Sequence, residues 1–584
     1  MAGLLCALGP QPGWAEALVD RLSPALRHYP WLSTRTFSVG PFALALVLHR
    51  DVEPPLWCVA QAGLSLVIFG EYIHDERRDT PPEDIARDLA DHVRHERWDQ
   101  VRNRNGLYNL VGWDNDIGRL IIANDATGAL LLFRARHAQG WIWCTEPGVL
   151  PHSDASADID TAALRSLLCI GYQADHRTLH HDIDVLPPAT TQVITLRQGA
   201  LAQATHSALP QTTPCAACFE QTYMTLLHDA VRIRLRHTRQ VQLPLSGGLD
   251  SRLLLGVSLA LNQVVVPFTL DGAGQTRDAT VAVDIAQRAG LGCRVEQAQV
   301  GVTRDLPSHV PLLKTALATT ADWHPALSFP VCGALTPGEP ILLGFLGGTL
   351  SGAFVHPASA EHGLTALRAS ALAPFWGPIS AGSPANVLVP AWGQLPGGDD
   401  AIPAPPELLT NLYGRQRRYT SYLVRLAWNF GRPICPFADA RLLQLALSAP
   451  RQVLAHQHTR LDLFGRTFPQ LAALPSANDG LPFDASRRRR LRGWLRRAGL
   501  GRHVRRIAPN ASPRYDYGRF TTLALQCVDM VTPAYKRRLP ERLSPMAMLA
   551  IAPILLLESE NTIRIALDFI DDLNTKHIER AGGG

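Results

Sequence analysis

Apolar and polar positions in residues 1–208 follow the pattern of β-strands. Six runs have the length and the apolar or aromatic content of strands, at residues 43–49, 64–69, 106–113, 119–123, 129–133 and 140–144. Residues 114–118 are rich in turn formers, so the strands on either side of them are predicted to form a hairpin. Residues 82–95 show helical spacing and begin with acidic side chains, as helix N-termini favour. We therefore expect mainly strands here, with short helices between them.

The pattern changes after residues 207–217, a Thr-, Pro- and Gln-rich stretch typical of a linker. Beyond it, helices are predicted at 219–237 and 252–261, and strands at 241–245, 264–270 and 341–344. Strand, helix and strand in succession indicate a parallel sheet with right-handed crossovers. The remainder of the chain is predicted to be mostly helical. We therefore divide the chain into two domains, residues 1–208 and residues 209–584.

Composition places the chain among well-packed globular proteins. Its 584 residues are too many for one hydrophobic core. Hydrophobic residues make up 46% and charged residues 18%, which excludes a disordered chain. The formal net charge of +5 is too small, over such a length, to indicate a nucleic-acid partner. No run reaches the length of about 18 apolar residues that a membrane span needs; residues 546–557 come nearest, and Pro553 interrupts them.

The N-terminus and the cysteines favour a cytoplasmic location. Residues 1–5 lack the basic region of a secretory signal. Ten cysteines are scattered along the chain, and Cys215 and Cys218 form the one close pair, with no second pair or histidine at zinc-finger spacing. We therefore expect reduced thiols and a soluble, cytoplasmic protein.

The sequence Ser-Gly-Gly-Leu-Asp-Ser at residues 246–251 lies between a predicted strand and a predicted helix. Gly247 and Gly248 let main-chain N–H groups approach an anion, and the following helix directs its positive end to the same point. The hydroxyls of Ser246 and Ser251 add donors, and the Asp250 carboxylate can hold Mg²⁺ against phosphates. The segment therefore predicts a pyrophosphate-binding loop at the carboxyl end of a parallel strand. It lacks the Gly-Lys-Ser/Thr ending of a Walker loop.

These residues resemble the asparagine synthetase superfamily, whose ATP-pyrophosphatase loop reads Ser-Gly-Gly-x-Asp-Ser. Residues 106–133 and 164–188 are also similar to the family, as is Ile-Cys-Pro-Phe-Ala-Asp at 434–439, where the family has Val-Pro-Phe-Leu-Asp. The resemblance implies an N-terminal Ntn-type, amidotransferase-like β-sandwich of the α+β class. An α/β domain would follow, with the parallel sheet of an ATP-pyrophosphatase (adenine nucleotide α-hydrolase-like) and a helical C-terminal part.

The resemblance also implies site residues and cofactors. ATP would be a substrate, cleaved between its α and β phosphates to give an acyl-adenylate, and Mg²⁺ would assist, with Asp250 as metal ligand. The resemblance assigns catalytic roles to Ser246, Asp250 and Ser251. The residues that would bind ATP and pyrophosphate are Leu245, Ser246, Gly247, Gly248, Asp250, Ser251, Leu270, Gly344, Phe345 and Gly347.

The chain departs from the family where glutamine would be cleaved. Glutamine-dependent members use a cysteine that becomes the first residue once Met is removed, and its free amine serves as the base. Residue 2 here is Ala, and the nitrogen of Cys6 is in a peptide bond. The family's Asn-Gly-Glu motif, whose Asn helps form the oxyanion hole, corresponds to Phe69-Gly70-Glu71. We therefore expect the N-terminal domain to be a structural relic without glutaminase activity.

The synthetase half departs at three further positions. Relatives usually carry an Asp at the place of Gly348, where it contributes to magnesium binding, and β-lactam synthetases place a catalytic Tyr where Phe345 stands. The family also uses a late lysine to stabilise developing charge, but the corresponding residues 474–482 contain none. The chain has three lysines, Lys314, Lys536 and Lys576. An arginine can supply the charge instead, and the candidates are Arg417, Arg418 and Arg460.

The twenty residues from Arg487 to Arg506 contain ten arginines and no acid. Apolar residues at helical spacing would let one face pack, so the stretch is either a docking surface for an acidic partner or a solvated helix. The histidine pairs at 92 and 95 and at 180 and 181 lack ligand partners at metal spacing, so we interpret them as surface or packed residues.

Together these residues predict an AMP- and pyrophosphate-forming carbon–nitrogen ligase that draws its amine from a substrate. Among similar enzymes the lasso-peptide macrolactam synthetases fit best, since they share the length and domain order. They join a peptide's N-terminal amine to an Asp or Glu side chain. The implied partners are a precursor peptide, a leader peptidase and a leader-binding protein, with no nucleic acid and no membrane span. Two alternatives stay open: another natural-product amide ligase, and a catalytically dead ATP-binding scaffold.

Overall fold

The computed structural model describes most of the chain up to residue 483. The described ranges are 1–151 (except 62 and 78), 159–207 (except 174), 218–271, 276–297, 312–315, 334–356 (except 354), 404–455 and 464–483 (except 478 and 479), with a few single positions besides. Within them lie two antiparallel sheets and one parallel sheet. The predicted mixture of an antiparallel sandwich and a parallel sheet is therefore confirmed.

Residues 3–207 form the two antiparallel sheets. Their strands are β1 (Gly3–Leu8), β2 (Leu32–Val39), β3 (Phe42–His49), β4 (Leu56–Gln61), β5 (Leu64–Ile73), β6 (Asn105–Asp114), β7 (Arg119–Asn124), β8 (Phe133–His137), β9 (Gly140–Cys144), β10 (Ile183–Val185), β11 (Thr190–Arg197) and β12 (Ala200–Ser207). One sheet has the order β10-β8-β9-β1-β3-β2 and the other β12-β11-β7-β6-β5-β4. Each sheet has six strands, and hairpin β6–β7 confirms the predicted turn.

Helices cover the outer faces of this sandwich. They are α1 (Trp14–Leu22), α2 (Pro82–Arg94) and α3 (Trp98–Arg102). A fourth helix, α4 (Thr161–Ile170), follows β9 in the chain. Helix α1 packs on β1 and β3, while α2 and α3 pack on the other sheet. Between the sheets, Phe42 stacks on Trp113 with ring centroids 5.4 Å apart, and every residue of β3 is buried. Large apolar side chains from both inner faces therefore form one core.

The predicted strand at 129–133 is wrong. The strand β8 begins only at Phe133, and the four residues before it are buried without pairing in a sheet. The Leu130 carbonyl accepts the Asn109 side-chain amide (2.8 Å), and the Leu132 carbonyl accepts the Leu186 N–H (2.8 Å). A continuous apolar run is equally compatible with a buried irregular segment whose polar main-chain groups find such partners.

A parallel sheet follows in the second half of the chain. Its strands are β13 (Gln240–Pro244), β14 (Val264–Asp271), β15 (Arg294–Gln297), β16 (Ile341–Leu342) and β17 (Pro433–Ile434), and the preceding and intervening helices are α5 (Phe219–Leu235), α6 (Leu249–Ala260) and α7 (Arg277–Arg288). The order is β15-β14-β13-β16-β17 with every pair parallel. The chain therefore reverses its direction of strand addition between β13 and β16, where open α/β sheets bind ligands.

Short helices make up much of what is described beyond β16, as predicted for this part. They span Gly347–Leu350, Pro406–Leu409, Tyr422–Ala427, Ala440–Ser448, Arg451–Leu454 and Pro469–Ala472, with a π-helix at Thr410–Thr420 and a 3-10 turn at Pro436–Ala438. In the first half of the chain, 3-10 turns lie at Ser23–Leu26 and Pro147–Val149. Among the described residues, no helix has both the length and the apolar character needed to cross a membrane.

A buried ion network joins the sandwich to the second half. Arg234 on α5 donates to Glu71 on β5 (2.8 Å) and to Asp439 (2.8 Å), and it also donates to Asn105 (3.1 Å). Arg441 binds the same Asp439 carboxylate (2.9 and 3.0 Å). The side chains of Arg234 and Asp439 are fully buried. The aspartate of the Pro-Phe-Ala-Asp segment therefore holds the two halves together.

Candidate nucleotide-binding site

The loop after β13 is shaped by its own two serines. Strand β13 ends where the Leu245 N–H donates to the Phe268 carbonyl of β14 (2.7 Å). The Ser251 hydroxyl accepts the Ser246 N–H (3.2 Å) and donates to the Ser246 carbonyl (3.1 Å). The Ser246 hydroxyl in turn accepts the Gly248 N–H (3.3 Å). Both hydroxyls that were predicted to face phosphate thus set the curvature of the loop in this structure.

Helix α6 begins three residues earlier than the sequence predicted. It starts at Leu249, so Asp250 and Ser251 lie in its first turn rather than in the loop. Gly248 is the N-cap residue and provides no side-chain acceptor for the N–H groups of this turn. Uncapped N–H groups at the positive end of a helix can bind an anion. The site predicted at 246–251 is therefore a helix N-terminus as well as a glycine loop.

The second glycine loop lies directly against Asp250. The Gly348 N–H donates to Asp250 Oδ2 (3.0 Å), which places the loop after β16 beside the loop after β13. A Cβ added to Gly347 would lie 2.6 Å from the Asp250 carboxyl carbon, and one added to Gly344 would lie 3.2 Å from the Asp250 Cβ. Close approach of the two loops therefore requires glycine at position 347. Of the residues predicted to bind nucleotide, the structure brings Gly344 and Gly347 against Asp250.

Gly348 marks the place where a second carboxylate would stand. A Cβ built on it would lie 3.6 Å from Asp250 Oδ2, with no atom closer. A side chain at this position would therefore begin beside the Asp250 carboxylate. With glycine there, Asp250 is the one carboxylate that the two glycine loops offer. Mg²⁺ is often held by one or two carboxylates together with substrate phosphates, so this donor set fits the ion.

Restoring that carboxylate gives a testable prediction. Gly348→Asp is expected to bind Mg²⁺ about tenfold more tightly than the wild type, because a second anionic oxygen donor lowers the free energy of the bound cation. The measurement is the rise in melting temperature on adding Mg²⁺, which reports binding to the folded state. Gly348→Asn is the control, since it adds the same volume without the charge. Equal Mg²⁺ responses of the two variants would contradict the prediction.

Two polar residues that the sequence analysis missed hold the loop in place. The Gly247 N–H donates to Asp278 Oδ1 (2.9 Å), in the first turn of α7. Arg252, which is fully buried, donates to the carbonyls of Gly247 (3.2 Å), Leu471 (3.0 Å) and Leu474 (2.9 Å). It also donates to Pro475. The Asp278 carboxylate therefore binds the N–H of Gly247, and the Arg252 guanidinium binds its carbonyl.

Arg252 brings a distant segment to the loop. The Ala477 N–H donates to the Gly247 carbonyl (3.0 Å), and a Cβ added to Gly247 would lie 2.4 Å from the Ala477 Cβ. The Phe483 ring lies under the Arg252 guanidinium, 4.6 Å from its centroid. The segment that corresponds to the family's late-lysine region thus lines the candidate site, as the resemblance implied. A lone Arg in an apolar helix was the sequence signal that could have identified the contact, because a buried guanidinium needs acceptors.

The other predicted residues lie near the same sheet edge. Leu245 is buried at the end of β13, and Leu270 is half-buried near the end of β14. Phe345 is buried between Gly344 and Gly347, so it shapes the second loop from within. The strands β13, β14 and β16 are parallel neighbours, so all three positions lie at their carboxyl ends.

Two of the arginines considered for the missing lysine bind the sandwich instead. Arg417 donates to the Gly128 carbonyl (3.2 Å) and to Leu186, and Arg418 donates to the Gln173 carbonyl (3.1 Å). Burial lowers the pKa of Arg417 to about 10 and that of Arg418 to about 9. Both guanidinium groups therefore donate to main-chain carbonyls where the two halves of the chain meet.

Several other predictions fall outside the described residues. These are Arg460, Lys536, Lys576, Cys215 and the basic stretch from Arg487 to Arg506. Residues 478 and 479 of the late-lysine region also fall outside, and so does nearly all of the apolar segment 546–557.

The positions compared with the glutaminase machinery are core residues. Cys6 lies in the middle of β1, fully buried between β3 and β9, and burial raises the pKa of its thiol well above the ordinary value. Phe69, in the place of the family's Asn, packs against Trp428 with ring centroids 5.5 Å apart. Glu71 accepts Arg234, as described above. An apolar ring cannot donate to an oxyanion, and the loss of glutaminase activity stays a prediction.

Comparisons with known proteins bear on the sandwich. Residues 93–206 match the glutamine amidotransferase domain family. Two solved structures are similar: the allosteric regulatory enzyme of purine biosynthesis, at 10% identity over 50% of this chain and 80% of that chain, with a TM-score of 0.26; and the glutamine phosphoribosylpyrophosphate amidotransferase from B. subtilis, complexed with ADP and GMP, at 11% identity over 60% and 77%, with a TM-score of 0.24. No curated protein matches.

Because TM-scores this low support no argument, the comparison rests on the domain match at residues 93–206. It covers β6 to β12, except for the last residue of β12, which includes the predicted hairpin and the strands around it. Over residues 93–206 this chain is similar to glutamine amidotransferase domains, which is consistent with the resemblance of its residues to the asparagine synthetase superfamily.

Proposed function

We propose that the protein is an ATP-dependent ligase that forms an amide bond through an acyl-adenylate. The observation that supports this best is the contact between two glycine loops, at the carboxyl ends of β13 and β16, across Asp250. Main-chain N–H groups and a helix N-terminus converge there, which is the donor set that phosphate groups take.

In the proposed reaction, a substrate carboxylate oxygen attacks the α-phosphorus of ATP, and the bond from that phosphorus to the bridging oxygen breaks. The N–H groups of the first turn of α6 would stabilise the charge on the departing pyrophosphate. Asp250 would hold Mg²⁺, which neutralises phosphate charge when bound. An amine then attacks the acyl carbon, AMP leaves, and the amine loses one proton. The loop would lower the reaction barrier chiefly because its hydrogen-bond donors are already in place when the charge develops.

The amine would come from the substrate itself. By the resemblance, Ala2 and Phe69 would occupy the positions of the nucleophile and the oxyanion donor for glutamine cleavage, so the proposed reaction takes no ammonia from glutamine. The reaction class that fits is macrolactam closure of a lasso-type ribosomal peptide, between its N-terminal amine and an Asp or Glu side chain. A precursor peptide, a leader peptidase and a leader-binding protein would be the partners.

The test is pyrophosphate release from ATP with Mg²⁺, with and without the peptide encoded beside the gene. Peptide-dependent release is expected, with the peptide losing the mass of one water. Asp250→Ala is expected to reduce release at least about a hundredfold, because it removes the carboxylate that would hold Mg²⁺ against the phosphates. Asp284→Ala is the matched control, since Asp284 is exposed on α7.

Two results would change the proposal. Release that depends on a small carboxylic acid and amine, but not on the peptide, would indicate another natural-product amide ligase. No release under any condition from folded protein would favour an ATP-binding scaffold, which the glycine at 348 also motivates.

A further inference from the structure

Arg277 is a guanidinium beside the candidate site with no partner among the described residues. It is the first residue of α7, directly before Asp278, whose carboxylate accepts the Gly247 N–H. Its Nε is buried without a hydrogen bond, and its side chain is half-buried. An unpaired guanidinium N–H removed from water is costly, so we expect an acceptor to approach it when the site is occupied.

The local structure fixes where Arg277 stands. Thr276 caps α7 by accepting the Ala279 N–H (3.4 Å), and its own N–H donates to Asp271 Oδ1 at the end of β14 (2.9 Å). The first turn of α7 is thus tied to the sheet edge that carries the loops. Asp271 and Asp278 each accept a main-chain N–H.

The guanidinium faces the segment that lines the loop. Arg277 Nη1 lies 3.9 Å from the position of a Cβ built on Gly480. Gly480 belongs to a turn in which its N–H donates to the Ser476 carbonyl (2.8 Å), and the next residue of that turn, Ala477, binds Gly247. Arg277 therefore lies beside the segment that contacts Gly247, next to Asp278, which binds the same glycine.

We propose that Arg277 binds the phosphate groups of the nucleotide, which rests on the proposed function of the same site. A guanidinium presents paired N–H donors that match two phosphate oxygens, and it stays charged at any physiological pH. The N-termini of α6 and α7 direct their positive ends to the same region, which adds to the attraction. Arg277 would thus supply the cationic charge that residues 474–482 lack, from a different element of the fold.

The test compares binding of inorganic pyrophosphate and of adenosine, both with Mg²⁺, by calorimetry. Arg277→Ala is expected to weaken pyrophosphate binding about ten- to a hundredfold, the range for a lost hydrogen bond to a charged group. Adenosine binding should be unchanged, because it carries no phosphate. Arg277→Lys should recover part of the affinity, since it keeps the charge but not the planar fork. Arg288→Ala, exposed in the last turn of α7, is the control.

The binding measurements distinguish a failure of the role proposed for Arg277 from a failure of the proposed function on which it rests. Unchanged pyrophosphate affinity in Arg277→Ala, with the wild type binding, would overturn the role of Arg277 alone. Equal losses of adenosine and pyrophosphate binding would show a structural effect and would also overturn it. Wild-type protein that binds neither pyrophosphate nor adenosine would overturn the proposed function itself.

Discussion

Asp439→Ala is expected to lower the free energy of unfolding by about 3–5 kcal/mol, the cost of removing one partner from a buried ion pair. The variant leaves Arg234 fully buried with Glu71 as its remaining acidic partner, and it also removes the Asn105 contact. The measurement is denaturant-induced unfolding of variant and wild type. Asp79→Ala is the control, because Asp79 pairs with Arg236 at an exposed position, where ion pairs contribute less than about 1 kcal/mol.

The stability that this network contributes is expected to fall as the pH is lowered. Burial acts to raise the pKa of Asp439, but the hydrogen bond from Arg441 and the charge of Arg234 outweigh it and hold the pKa well below the ordinary value. A carboxylate with a depressed folded-state pKa contributes stability that is fully present above its unfolded pKa of about 3.9. That stability is lost as the pH falls through the folded-state pKa.

The wild type should therefore lose stability in acid more steeply than Asp439→Asn. Parallel acid titrations of the two proteins, followed by unfolding free energy, would check this. Coincident titration curves, or a loss from Asp439→Ala no larger than that from Asp79→Ala, would show that the network adds nothing to stability.

Arg252→Met is expected to lower the free energy of unfolding by at least about 3 kcal/mol and to abolish pyrophosphate release. Methionine fills much of the volume but leaves the carbonyls of Leu471 and Leu474 without the Arg252 donor. Segment 471–477 then keeps the hydrogen bond from the Ala477 N–H to the Gly247 carbonyl but loses the bridge that Arg252 makes to the loop. Unfolding and pyrophosphate release are measured on the same preparation, since a folded but inactive variant separates the two effects.

Arg288→Met serves as the control for this substitution. Arg288 is exposed in the last turn of α7, so its replacement should change stability by no more than about 0.5 kcal/mol. Arg252→Met with full pyrophosphate release would show that segment 471–477 does not position the loop.

Local signals were enough to predict the site loop and much of the sandwich. The turn formers at 114–118 lie between two apolar runs, and the structure forms that hairpin with β6 and β7. The glycines at 247 and 248 follow a short apolar run, and the loop lies where a strand ends and a helix begins. Patterns of this kind act within a few residues, so sequence alone carries them.

Contacts between distant residues were not predictable in the same way. Arg252 and Leu474 are far apart in the chain, and nothing near either residue indicates that the guanidinium reaches that carbonyl. The start of α6 was misplaced because Asp250 and Ser251 look like loop residues, whereas the helix accepts them in its first turn without a side-chain cap. Propensity is a weak guide where tertiary contacts decide the conformation.

The sandwich has a structural role, because its main-chain carbonyls accept hydrogen bonds from Arg417 and Arg418. Those guanidinium groups belong to the second half, yet their acceptors at Gly128, Leu186 and Gln173 belong to the first. If the first half were deleted, these charges would lose every such acceptor at once, and the second half would expose the surface that covers them. Deletion of the sandwich is therefore expected to destabilise the second half, whatever chemistry the sandwich performs.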